Sequence, residues 1–326
     1  IARPEIEKFY SLDGAVSGRA LKAHWQLSPR LGFEYRIPES KIVLRGGGGI
    51  FTGHVLNLWL SEIYFSNQYM IDMRPHTVRF SPDPYNQPDL QELGIDPDLN
   101  KGNMVLLARN FKFPAVFRST ASIQKRTPNN WQFSAELIFT KNIHEHRYVN
   151  VNLKLPELNS SDPGSRIIYS LGSQPDRIPM PAGNPYNNIF LLTNNRNQKG
   201  YSWYFSTSAM KNFEDNFYVS LSYGYGRSTA LFEAAGNSNN SSQWTETETV
   251  NGRNAARRSI SDFDPGHRIA AAVSKKIDYG KMSTLVTLFY NGQSGSTYSY
   301  VYSGTIVNDI GRTSDLNYDL FYIPTR

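Results

Sequence analysis

The residues of this chain whose types and spacing could do chemistry fall in two short polar groups. His144-Glu145-His146 would place two imidazoles on one face of an extended segment, which could begin a zinc site, although no third ligand is evident nearby. Asp264 and His267 lie close to Ser259 and Ser261, but neither serine has the strand-to-helix elbow of a hydrolase nucleophile. We expect a solvated loop base at the first group. At the second we expect a loop-to-strand corner held by bonds from aspartate to the backbone.

A run of glycines, Gly46–Gly49, is the third candidate, because glycine-rich loops can cradle phosphates. A phosphate loop also needs a Lys-Ser/Thr pair that opens a helix, and none follows this run. We therefore predict a strand to which backbone or another segment approaches closely. The chain has no cysteine, which excludes disulfides and thiolate sites. We expect no catalytic residue, no metal and no cofactor.

Composition and charge narrow the class of partner. The chain has 34 Lys and Arg against 28 Asp and Glu, a net charge of +6, and these charges are scattered rather than clustered. No nucleic-acid partner is therefore expected. Mean hydropathy is −0.48, and no run approaches the roughly 18 apolar residues that a transmembrane helix needs. A transmembrane β-barrel fits this composition, because only every second residue of its strands faces lipid.

Alternation of apolar and polar residues with a period of two is the strongest pattern in the chain. Along residues 131–139 the odd positions are all apolar: Trp131, Phe133, Ala135, Leu137 and Phe139. Because successive side chains of a strand point to opposite faces, this pattern predicts a strand with one apolar face. Similar patterns predict strands at 24–37, from 41 onward, and at 117–123, 201–209, 217–225, 267–273 and 282–290. Turn residues at 38–40, 127–130, 212–216 and 278–280 join them into hairpins.

The connections between the hairpins are long and span residues 53–112, 143–198 and 227–263. Short turns on one rim and long loops on the other are typical of bacterial outer-membrane barrels. We therefore predict an all-β fold, an antiparallel transmembrane β-barrel with short periplasmic turns and long extracellular loops, of which residues 1–326 form one portion. Aromatic residues near the short turns predict an interfacial girdle: Phe33, Tyr35, Trp131, Phe133, Phe213, Phe217 and Tyr279.

The long loops also carry aromatic residues that look exposed from the sequence. Exposed aromatics on loops often capture ligands. Packing of the loop residues against one another is the alternative. The candidate ligand-binding residues are Trp59, Tyr64, Tyr69, Tyr85, Tyr186 and Trp244.

Six segments, taken in order and with their spacing, resemble the barrel of TonB-dependent outer-membrane receptors of the Oar-like branch. The resemblance covers most of the chain and rests on the ordered set rather than on any single motif. The segments are Leu27–Phe33, Val43–Phe51, Phe111–Pro114, Asp262–Arg268, Leu288–Gly295 and Asp319–Pro324.

The resemblance implies an internal portion of a 22-stranded barrel, without the plug domain and the closing C-terminal strand. It implies a place in the outer membrane of a Gram-negative bacterium, in contact with outer-membrane lipid. It also implies loops that capture a ligand, a plug that moves, energy from TonB, and an accessory lipoprotein as a further partner. The ligand could be a peptide, a glycan or a chelated metal.

Other functions remain open from the sequence. An outer-membrane barrel acting as an adhesin or secretion-associated scaffold would share the fold without import. A barrel protease or lipase would need a catalytic cluster drawn from His144, His146, Asp264 and His267. A soluble carbohydrate-binding sandwich would turn the apolar strand faces into a core.

Overall fold

The structure, a computed structural model, describes residues 12, 14–15, 25–65, 81–87, 103–154, 167–170, 186, 188–233, 240–255, 257–304, 306–310 and 319–321. Twelve strands and two short α-helices occur in these ranges. The strands are β1 Arg30–Ile37, β2 Ile42–Thr52, β3 Asn103–Leu107, β4 Ala115–Arg126, β5 Trp131–His144, β6 His146–Asn150, β7 Asn188–Asn194, β8 Tyr201–Phe213, β9 Phe217–Ala230, β10 Ser259–Ile260, β11 Gly266–Tyr279 and β12 Met282–Gln293. The α-helices are α1, Asn57–Phe65, and α2, Asn240–Thr245, and a 3-10 helix spans Arg253–Ala255.

Eight long strands form the main sheet in the order β1-β2-β4-β5-β8-β9-β11-β12, and β10 pairs with the end of β9. Every pair in this sheet is antiparallel. These eight are the strands that the alternation predicts. β1 begins at Arg30 rather than at residue 24, because Pro29 has no N–H to donate to the ladder.

Four tight turns close the hairpins at one rim of the sheet, as predicted. Each turn needs a residue in the left-handed region of backbone space. Lys41, Asn130, Asn216 and Gly280 supply it, with φ of 51°, 60°, 53° and 66°. Asparagine and glycine reach this region at little cost, so the local sequence sets the turns at Asn130, Asn216 and Gly280.

The two faces of the main sheet differ in polarity through the middle of the sheet. Ala121, Leu137, Phe205 and Tyr225 lie opposite one another across β4, β5, β8 and β9. The adjacent rung carries Ser122, Glu136, Ser206 and Gly224. The apolar face is uncovered, with Leu31 81% and Leu288 75% exposed. The hydrophobic core of the described residues is therefore not under this sheet.

The long connections contain a second, three-stranded sheet in the order β3-β7-β6, in which β3 and β7 are parallel. We call this sheet, together with α1, α2, the 3-10 helix and residues 301–321 where described, the cap. Its core includes Met104, Leu106, Ile189, Phe190 and Leu192. The alternation pattern did not predict this sheet, because β3 and β7 are short continuous apolar runs buried on both faces.

No helix among the described residues is long and apolar enough to cross a membrane.

Candidate functional site

Two of the six candidate loop aromatics are core residues of the cap. Trp59, in α1, is 2% exposed, and its ring centroid lies 5.0 Å from that of His146 and 5.7 Å from that of Tyr148. Trp244, in α2, is 1% exposed and donates its indole N–H to Oδ1 of Asn254 at 2.9 Å. The expectation that these tryptophans are exposed is wrong, because the long connections bury their own apolar side chains.

The other candidates differ in exposure. Tyr85 is 98% exposed and Tyr64 is 39% exposed. Tyr186 is half-buried and packs against the cap core, whereas Tyr69 lies outside the described residues. Tyr64 and Tyr85 are therefore the candidates that have free ring surface, and ligand binding by them stays a prediction.

The His144-Glu145-His146 segment is a partly buried junction centred on Glu145, and the expectation of a solvated loop base is wrong. The carboxylate of Glu145 accepts hydrogen bonds from the backbone amides of Gly200 at 3.0 Å and Leu231 at 3.1 Å. Glu145 and Gly200 lie at the two ends of the β5–β8 connection, and Leu231 begins the β9–β11 connection, so Glu145 joins two connections where they leave the main sheet. Among the described residues no cluster of three or more His, Cys, Asp or Glu could hold a metal.

His146 lies in an aromatic cluster of the cap. Its ring packs between Trp59 and Phe232, at centroid distances of 5.0 and 5.5 Å. Burial lowers the pKa of His146 to about 4, because a charged imidazolium would lose its hydration there. The Nε2 atom has no hydrogen-bond partner in the described part of the chain. The imidazole is therefore neutral at pH 7 and serves as a packing residue.

Buried polar groups tie the cap together. Arg253 pairs with Asp309, and at 3.5 Å with Asp319, with all three side chains almost fully buried. Its Nε donates to the carbonyl of Thr245 at 2.7 Å. Burial raises the pKa of Asp309, although the guanidinium of Arg253 opposes that effect. This network joins the β9–β11 connection to the chain that follows β12.

The Asp264 region is the corner that the sequence predicts. Oδ1 of Asp264 accepts the amide of Ser228 at 2.5 Å, and Oδ2 pairs with Arg227 at 3.2 Å. Ser261 donates its hydroxyl to Glu233. Nδ1 of His267 instead bonds to the hydroxyl of Tyr223 at 2.8 Å. Ser261 and His267, the candidate nucleophile and base, therefore each bond to a different structural partner.

The predicted aromatic girdle lies on the apolar face at the short-turn rim. The ring centroids of Trp131 and Phe133 are 5.8 Å apart, and those of Phe213 and Phe217 are 5.5 Å apart. The ammonium group of Lys211 lies 4.5 Å from the ring centroid of Phe213. Aromatic bodies in lipid with a cation reaching back over them are typical of a membrane interface.

The glycine run lies in β2 and meets its neighbours closely, as predicted. A Cβ on Gly46 would lie 2.6 Å from the ring of Phe33, and one on Gly47 would lie 2.7 Å from the carbonyl oxygen of Leu31. Phe33 and Gly46 are direct cross-strand partners on the apolar face. Glycine therefore lets the Phe33 ring lie flat across the sheet.

The opposite face of the sheet is polar and partly charged. Glu34 accepts from Arg36 at 2.6 Å and from Arg45 at 2.5 Å. Across β5 and β8 the hydroxyls of Ser134 and Ser208 are 2.7 Å apart. A face lined in this way can contact water or another polar surface.

A cavity of about 950 Å³ lies between the β9–β11 connection and the chain that follows β12. Residues 246–251, 257–260 and 295–299 supply most of its wall. No local motif in the sequence predicts this cavity, because its walls come from segments that are distant in the chain.

An antiparallel sheet of long strands with an uncovered apolar face, an aromatic rim and a polar opposite face is the wall of an outer-membrane β-barrel. The chain belongs to the outer membrane beta barrel domain family, whose model matches residues 10–318. It is therefore a protein of the Gram-negative outer membrane. No curated protein matches the chain.

Proposed function

We propose that this chain is wall and loops of a TonB-dependent outer-membrane transporter. One observation carries the proposal. The strands β1 and β12 are the two ends of the strand order, and among the described residues they do not pair with each other. Each of them has one neighbouring strand in that part of the chain. A strand in lipid needs hydrogen-bond partners on both edges. On this proposal the wall continues in further strands, because barrels of 22 strands enclose a plugged lumen.

The polar face of the sheet supports the same function. In a barrel this face lines the lumen, where the network of Glu34, Arg36 and Arg45 would meet a plug or a passing solute. The resemblance to Oar-like receptors adds the plug, the TonB contact and an accessory lipoprotein. On this proposal the chain catalyses no reaction.

On this proposal the ligand binds to the long connections on the loop side of the sheet. The cap packs the described parts of the long connections against one another, and loops that are ordered before binding lose less conformational entropy. Tyr64 and Tyr85 offer exposed rings there. The ligand classes compatible with such a surface are peptides, glycans and chelated metals.

The test is uptake by intact cells. Radiolabelled hexapeptides, maltodextrins and ferric citrate are offered to wild-type cells, to cells lacking this gene and to cells lacking TonB. Import of one class that is lost in both deletions supports the proposal. Import that is unchanged in both deletions for all three classes would sink it.

An outer-membrane adhesin or secretion-associated scaffold is the second candidate. The observation that favours it is the cap itself, a folded unit with its own core on the loop side of the sheet. This function predicts surface binding that persists in cells lacking TonB and is not followed by import.

A further inference from the structure

The free edge of β10 lines the cavity described above. Ser259 pairs with Ala230 of β9, and the amide of Ser261 bonds to the carbonyl of Ser228 at 3.0 Å. In an antiparallel ladder the residue between two such bonded positions points its N–H and C=O away from the partner strand. Ile260 is that residue. No described residue bonds to its backbone N–H or C=O.

The strand that would cover this edge leaves the sheet just before it. β12 pairs with β11 as far as Gln293, and Ser294 still donates its amide to His267 at 2.8 Å. Residues 295–299 then turn away and form the far wall of the cavity. The contact back to the β10 side is the hydroxyl of Thr297, which donates to the carbonyl of Ser261 at 3.4 Å. The cavity therefore occupies the place of a missing strand.

Charges of both signs line the cavity. Arg257 and Arg258 precede β10 and Asp262 follows it, whereas Glu246 and Glu248 come from another segment. A further acid, Glu233, accepts the hydroxyl of Ser261 and the amide of Asp262. Glu248 accepts the hydroxyl of Ser299 at 2.7 Å, and no ion pair forms between these acids and arginines in the described part of the chain. A ligand that carries both a positive and a negative charge would pair with the acids and the arginines of the cavity. A neutral ligand would remove water from these side chains without forming ion pairs.

We propose that the cavity binds a short extended peptide as an added strand on the β10 edge. The peptide backbone bonds to the N–H and C=O of Ile260, and its charged ends or side chains pair with Arg258 and Glu246. Strand addition to a free sheet edge is a general mode of peptide recognition. The volume of about 950 Å³ is at the upper end of ordinary ligand pockets. Import of a peptide bound here rests on the proposed transport function, but binding does not.

The test is binding to the purified protein, expressed from its complete gene and held in detergent. Synthetic hexapeptides with free termini are titrated by calorimetry, and maltohexaose is titrated in parallel. The key variant is Ile260→Pro, which removes the edge N–H but no bond to β9. Its matched control is Ile260→Ala, which keeps that N–H. A heat-modifiability gel confirms that each variant is folded.

We expect hexapeptides to bind, with Kd raised at least about tenfold by Ile260→Pro and changed by less than about threefold by Ile260→Ala. Glu246→Gln and Arg258→Gln should each weaken binding, whereas Glu39→Gln at the β1–β2 turn should not. Equal affinity of the proline and alanine variants would overturn strand addition. Binding of maltohexaose in place of peptides would identify a glycan site and overturn the proposal. Peptide binding without uptake in cells would instead count against transport alone.

Discussion

Oε2 of Glu145 accepts the backbone amide of Gly200 at 3.0 Å, across 55 positions of sequence. Its Oε1 accepts the amide of Leu231 at 3.1 Å. One buried carboxylate therefore fixes the start of the β5–β8 connection against its own end and against the start of the β9–β11 connection. The long loops leave the barrel wall as one joined unit.

Glu145→Gln should loosen the cap without unfolding the main sheet. A glutamine offers one acceptor oxygen, and its NH₂ group would face a backbone N–H, so we expect a loss of about 1–3 kcal/mol in cap stability. Hydrogen exchange measured by mass spectrometry should show faster exchange in peptides that contain Gly200 and Leu231. Glu136→Gln, on the exposed polar face of β5, is the control and should leave these peptides protected. Unchanged exchange in Glu145→Gln would contradict the role of this carboxylate.

The main sheet is predictable from sequence because each strand keeps one apolar face in lipid. Leu137 and Glu136 are adjacent in sequence and face opposite sides, so a period of two reports the structure directly. The turns at Asn130 and Asn216 are equally local, since asparagine tolerates positive φ.

The cap and the cavity are not predictable in this way. Trp59 meets His146 and Tyr148 only through packing between distant connections. β3 and β7 form a parallel pair, and such pairing leaves no alternation because both faces are buried. Ile260 lies within the predicted connection 227–263. Its unpaired backbone N–H and C=O become evident only when β10 is seen to pair with β9.

Acid should destabilise the cap through His146. The unfolded chain gains a proton on this imidazole below about pH 6.5, whereas the folded cap takes one up only near pH 4. The unfolded state therefore binds more protons between these values, so this contribution to stability falls as the pH is lowered through the window. The loss is about 1.4 kcal/mol per pH unit, or roughly 3 kcal/mol in all.

The measurement compares the wild-type protein with His146→Phe, which keeps an aromatic ring in the cluster. Urea unfolding followed by tryptophan fluorescence is recorded at pH 7 and at pH 4.5. Other groups also titrate in this pH range. The contribution of His146 is therefore obtained by comparing the loss of stability on acidification in the two proteins. We expect the wild-type protein to lose roughly 2–3 kcal/mol more stability than the variant on acidification. Equal losses would show that His146 is accessible to protons in the folded cap.

Breaking the buried ion network should cost more than removing a surface charge. Arg253→Met leaves Asp309 and Asp319 buried without their cation, and such a change costs about 3–5 kcal/mol. Limited proteolysis should then cut the β9–β11 connection while the barrel stays heat-modifiable. Arg257→Met, at an exposed position on the same connection, is the control and should resist proteolysis as the wild-type protein does.

Adjacent glycines of β2 should tolerate a methyl group differently. A Cβ on Gly47 would lie 2.7 Å from a backbone oxygen of Leu31, whereas one on Gly48 meets its nearest atom at 3.4 Å. Backbone cannot move as a side chain can, so we expect Gly47→Ala to lower stability by about 1–3 kcal/mol and Gly48→Ala to change it little. Urea unfolding of the folded protein in lipid vesicles measures both. A larger effect at Gly48 would mean that β1 and β2 pair in a different register.

A charge on the apolar face should impair membrane insertion, whereas the same charge on the polar face should not. Leu221 lies mid-strand in β9 between Ala209 and Ala271 on the apolar face, and its neighbour Ser220 lies between Met210 and Ala272 on the other. Arginine at the lipid midplane of a barrel costs about 2–4 kcal/mol, whereas substitutions in the lumen mainly alter selectivity. Leu221→Arg should therefore reduce the heat-modifiable fraction in the outer membrane, while Ser220→Arg should assemble nearly normally. If Ser220→Arg impaired assembly more than Leu221→Arg, the face that carries Ser220 would be the one that contacts lipid.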